Sequence, residues 1–169
     1  MKNMLLLQAN YNYLANKNMC EILCGIDNAL LTKDCGLYFG SIIETLKHSM
    51  AAEIGIFIKR FSQFATTPPK NMDSLIASLK LLKSINDMKK LSEILLESNQ
   101  AVIEIIQNTQ DFSSKEVLQL SEVAFEKSRG YMYLSILNHS IHHRGQIAGA
   151  LDALKIDNDF GGMLGMPLD

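Results

Sequence analysis

Apolar residues recur along most of the chain at spacings of three and four, the period of a helix with one buried face. Over residues 4–26 the stripe is Leu7, Tyr11, Leu14, Ile22 and Ile26, and Gly25 and Asp27 begin the exit. Ser41-Ile-Ile-Glu44 has the capping-box pattern and opens a second helix. Its stripe is Ile43, Leu46, Met50, Ile54, Phe57 and Phe61, broken by FATTPPKN. A short helix is predicted over Ser74 to Leu82. Met88, Leu91, Leu95, Val102 and Ile105 then carry a third long helix to about Gln110. DFSSKE marks a stop and a new start. In EVLQLSEVAFEKSRG, the runs VLQL and VAF fit either two short strands or a short helix. The last long element runs from Tyr131 to Ile156 and ends at DNDFGG.

Four principal helices in 169 residues predict a single all-α domain over 1–169, a four-helix bundle. Only three prolines interrupt the chain, two of them adjacent at Pro68 and Pro69. No uninterrupted apolar run approaches membrane-spanning length. A net charge of -2 leaves no basic footprint for nucleic acid. The three cysteines, Cys20, Cys24 and Cys35, are too few and odd in number for a disulfide framework. Cys20 and Cys24 stand i,i+4 and can share a metal; small buried apolar residues are the simpler reading. The start MKNMLLLQANYN is too short in apolar residues for a signal peptide, so the expected location is the cytoplasm.

Three of the four histidines fall within five residues of LNHSIHHRGQI, and the fourth, His48, lies far upstream. Helical neighbours four apart differ by only about 40° in direction, so His139 and His143 project from one face. That spacing lets two imidazoles share one cation, or pair by hydrogen bonding. His142 points to the other side. His48 sits away from the apolar stripe of its helix, among Glu44, Thr45, Ala51, Ala52 and Gly55. Either it faces solvent, or the small residues leave room for a ligand or a close helix. HExxH, Glu-x-x-His, CxxC, P-loop and GxGxxG patterns are all absent.

Tyr11, Asn12, Leu14 and Asn16 on helix one, a histidine on helix two, Gly130 before the last helix, and His139, His143, Arg144, Gly145 and Gln146 as HxxxHRGQ resemble the DinB family. The resemblance implies a four-helix bundle with crossover connections. It also implies one divalent metal, zinc or nickel, held by His48, His139 and His143. Some similar proteins are thiol-dependent transferases or isomerases, and relatives are often homodimers. Two departures concern pocket shape: Leu14 where many relatives carry Trp, and extra length over Asn71 to Leu82.

Three neutral imidazoles leave a divalent ion open to water or substrate, the catalytic kind of site. The expected function is therefore a metal-dependent enzyme acting on a small molecule, with a low-molecular-weight thiol as partner. The alternative is a non-catalytic metal-binding or interaction protein. Glu44 is a candidate general base or merely a capping residue. Asn12, Asn16 and Gln146 are candidates for hydrogen bonds to the ligands. Arg144 is expected at the surface or an interface. A second stripe on the last helix, Leu134, Leu137, Ile141 and Ala148, needs a cover, either the Val117–Phe125 segment or a second copy.

Overall fold

A computed structural model describes residues 1–168. The elements are α1 (Lys2–Cys24), α2 (Asn28–Thr32), α3 (Ile42–Ala52), α4 (Met72–Leu82), α5 (Met88–Asn108), β1 (Lys115–Leu120), β2 (Val123–Ser128) and α6 (Arg129–Ala153). α3 continues as a π-helix (Glu53–Phe61) and a 3₁₀ turn (Ser62–Phe64). Side-chain caps fix several helix starts. Ser41 accepts from the Glu44 amide, Asp87 from the amides of Lys89 and Lys90, and Ser128 from the Tyr131 amide.

α1 and α3 with its π-extension each pack against both α5 and α6. The long helices therefore alternate around the bundle. Neither α1 with α3 nor α5 with α6 forms a principal packing pair. Both connections cross the bundle, and the fold is the all-α bundle that the helical pattern predicts, with the crossover connections that the resemblance implies. α4 lies outside this ring, against the π-helix and α5 and, to a lesser extent, α3. No helix among the described residues is long and apolar enough to cross a membrane.

The buried face of α1 differs from the predicted stripe. Leu5, Ala9, Asn12, Ala15, Asn16, Met19 and Leu23 are buried, while Leu7, Tyr11, Leu14, Ile22 and Ile26 are only half-buried. α1 is apolar around much of its circumference, so hydrophobicity alone does not orient it. Two asparagines turn inward because they find polar partners there.

The ambiguous segment before α6 is an antiparallel hairpin. Lys115 pairs with Ser128 and Leu120 with Val123, and Ser121 takes a left-handed φ of 51° at the turn. Arg129 ties the hairpin to α6 through two bonds to Glu116, at 2.9 and 2.6 Å. The Gly130 amide donates to the Phe112 carbonyl at 2.9 Å. A Cβ there would sit 3.2 Å from that carbonyl oxygen, so glycine lets α6 start against the loop. Tyr133 is fully buried among Phe57, Phe61, Phe64 and Phe112, and its hydroxyl meets Thr109 Oγ1 at 2.8 Å.

Candidate metal centre

α3 carries His48 to the face of α6 that presents His139 and His143. One ring nitrogen from each lies within 4.8 Å of the other two. The Nε2 atoms of His139 and His143 are 3.0 Å apart. His143 is buried, and His48 and His139 are half-buried. The sequence-predicted trio is thus brought together from two helices. His142 is exposed, one residue from His143 but outside the cluster.

Each ring has its own support. His143 Nδ1 donates to Gln146 Oε1 at 2.7 Å, which leaves the Nε2 lone pair facing the cluster. Gln146 thereby plays the supporting role that its helix position suggests. His48 is held by stacking on Phe39, with ring centroids 4.0 Å apart and planes 21° from parallel. Phe39 sits on a tight loop in which the Cys35 amide donates to the Gly40 carbonyl and the Gly40 amide to the Leu37 carbonyl. Gly36 and Gly40 take positive φ of 77° and 85°, which L side chains rarely adopt. Nothing in the sequence pattern singles out Phe39, because the loop brings it to His48 only in three dimensions.

Burial disfavours charge on all three imidazoles. It lowers His139 to about 4, helped by the neighbouring His143, His48 and His142. Burial also lowers His48, and it lowers His143 against the opposing pull of its Gln146 bond. All three are neutral at pH 7 and carry a lone pair for a cation.

The donor set fits a divalent ion. Two nitrogens at roughly 2.0–2.1 Å from a tetrahedral ion stand about 3.3 Å apart. The 3.0 Å separation of the two Nε2 atoms needs only a few tenths of an ångström of opening. Neutral nitrogen donors suit zinc and nickel alike. To hold an ion together with His143, His139 would present an unprotonated Nε2 and carry its proton on Nδ1.

Arg144 is corrected from the surface to the interior. Only 5% of it is exposed, and it donates to Asn16 Oδ1 at 2.9 Å and Asn12 Oδ1 at 3.2 Å. Asn12 and Asn16 accordingly bind Arg144 rather than the histidines. Asn12 also donates to the Leu137 carbonyl, and Asn16 to Asn99 Oδ1. Asn99 and Ser98 in turn donate to Glu53 at the start of the π-helix. This buried chain of polar groups ties α1, α5, α6 and the π-helix together. Desolvation raises Glu53 to about 7, against the hydrogen bonds of Ser98 and Asn99 and the charge of Arg144. Sequence reasoning passes over Glu53, since a lone acid on an apolar helix carries no signal until its partners are seen.

Glu44 caps nothing back onto Ser41; it is exposed and pairs with Lys47 at 2.7 Å. Ser41 alone supplies the N-cap bond. A cavity of about 210 Å³ lies beside His48, lined also by Phe39, Glu44, Lys47, Ala51, Leu79, Leu82 and Lys83. Cys20, Cys24 and Cys35 are free thiols; Cys20 is buried, as a small core residue should be, and its thiol is raised to about 11 by burial.

Comparisons with curated proteins and with solved structures gave no match. Among known protein families, the DinB family matches residues 1–154. The match spans every helix of the bundle and both segments that carry the three histidines. By that match the chain belongs to the DinB family, and its histidine cluster is placed as a metal-binding DinB-like protein requires.

Proposed function

We propose that this protein is a metal-dependent enzyme acting on a small molecule, with a divalent zinc or nickel ion held by His48, His139 and His143. The observation that carries the reading is the convergence of three neutral imidazole nitrogens beside a cavity. A divalent ion held by three nitrogens keeps positions open and lowers the pKa of a bound water or thiol. Gln146 orients one ring and Phe39 holds another, and Phe39 and His48 both line the cavity. A low-molecular-weight thiol is the proposed co-substrate, so the reaction class is thiol-dependent transfer or isomerisation.

One observation favours a second reading, metal binding without catalysis. Glu44, one turn before His48, is engaged with Lys47, and the buried Glu53 with Ser98 and Asn99. Purified protein assayed with thiol and electrophilic substrates, loaded and stripped of metal, separates the two. Metal-dependent thiol consumption supports the enzyme. Stoichiometric metal with no turnover across a broad panel supports the second reading.

We also propose a homodimer built on α6. Tyr131 and Leu134 are exposed apolar residues on this helix, and Ile141 is half-buried. Leu137 of the same predicted stripe is covered within the chain.

A further inference from the structure

We propose that the cavity between α3, α4 and the Phe39 loop is a subsite for a small organic anion with a compact apolar body. The inference deepens the metal-dependent reading, since His48 forms part of the wall. α4 lies outside the ring of four long helices and supplies one wall of the cavity.

The shape argues for a compact occupant. About 210 Å³ is less than the roughly 300–1,000 Å³ of sites for drug-sized ligands. The body of the ligand meets Phe39, Ala51, Leu79 and Leu82. Small side chains on α3 make the space. Ala51 leaves room in the wall that α3 contributes, opposite Leu79 and Leu82 of α4.

The charges argue for an anion. Glu44, the cavity's carboxylate, is neutralised by Lys47, whose ammonium also donates to Asn86 Oδ1 at 2.8 Å. Lys83 lines the same cavity and makes no ion pair among the described residues. α4 ends here, and its terminal carbonyls disfavour an anion. Lys83 offsets them, so its removal is the sharpest change. A cavity of about 420 Å³ between the hairpin and α6 also has a lysine, Lys127, but no imidazole in its wall, so it is not joined to the histidine cluster.

The test uses the zinc-loaded full chain with labelled alanine and leucine methyl groups. Benzoate is titrated by NMR beside benzamide, its neutral isostere, and inorganic phosphate, which lacks the apolar body. Benzoate should shift the methyls of Ala51, Leu79 and Leu82 and bind at least tenfold more tightly than either comparator. Lys83→Ala should weaken benzoate about three- to tenfold, between the range of exposed ion pairs and that of charge-assisted bonds. Leu79→Trp should abolish binding by filling the cavity. Ala51→Phe fills it from an exposed position and repeats the test if Leu79→Trp does not fold. Equal binding of benzamide, shifts confined to Leu118 and Leu120, or full affinity in both filled variants overturns the subsite. Elemental analysis separates the two failures. One zinc per chain without these shifts defeats the subsite alone. A chain that takes up no zinc defeats the metal reading, and the metal-free chain then decides the subsite by the same shifts.

Discussion

Arg144 shows how one residue's environment overrides its direction on a helix. A guanidinium so deeply buried needs its hydrogens matched, and Asn12, Asn16 and the ring of Tyr11, 5.1 Å away, surround it. Arg144→Met keeps the volume but leaves Asn16 Oδ1 without its donor and Asn12 Oδ1 with only the long 3.5 Å bond from Gln8 Nε2. An unsatisfied buried acceptor costs about 1–3 kcal/mol, so urea unfolding should show a loss of about 1–3 kcal/mol. A loss below about 0.5 kcal/mol, the range of ordinary surface changes, would contradict the buried network. The histidines obey the simpler rule. Their i,i+4 spacing is a local property, so His139 and His143 were legible in the sequence before any contact was known. Arg144 was not, because its partners lie more than a hundred residues away on α1.

Among the elements, the π-helix is the one that periodicity does not announce. Its apolar residues Ile54, Phe57, Ile58 and Phe61 suit an α-helix equally well. The wider winding begins at Glu53, where a buried carboxyl reaches Ser98 and Asn99 on α5. The linkage is testable. Burial raises Glu53 from 4.5 to about 7, so the folded state holds this proton more tightly than the unfolded chain. The stabilisation is therefore full below about pH 4.5 and is lost as pH rises to about 7. Glu53→Gln removes that dependence. At pH 8 it should be more stable than the parent by up to about 3 kcal/mol, with the gap closing toward pH 4.5. A gap that stays constant with pH in paired unfolding curves would contradict the assignment. Most other elements were legible: Ser41 and the α5 stripe mark their helices locally. The hairpin stayed open between strand and helix because VLQL and VAF are too short for a period to show. The face of α1 was misread because its polar residues, not its apolar ones, orient it.

At the scale of the whole molecule, the bundle brings His48 across some ninety residues of sequence to the His139/His143 pair, and the crossover connections make α3 and α6 neighbours. The α6 surface that the chain leaves uncovered is the part of the architecture that a second copy would bury. Light scattering at micromolar concentration should give twice the chain mass, and Ile141→Glu should give a folded, metal-bound monomer. A monomeric parent protein would remove the dimer. The central claim is the metal centre, and the most direct measurement is metal content per chain by elemental analysis of purified protein. The parent and His142→Ala should each carry one zinc or nickel ion, while His139→Ala should carry almost none. Equal metal in both variants, or none in the parent after zinc and nickel have been supplied, would contradict it.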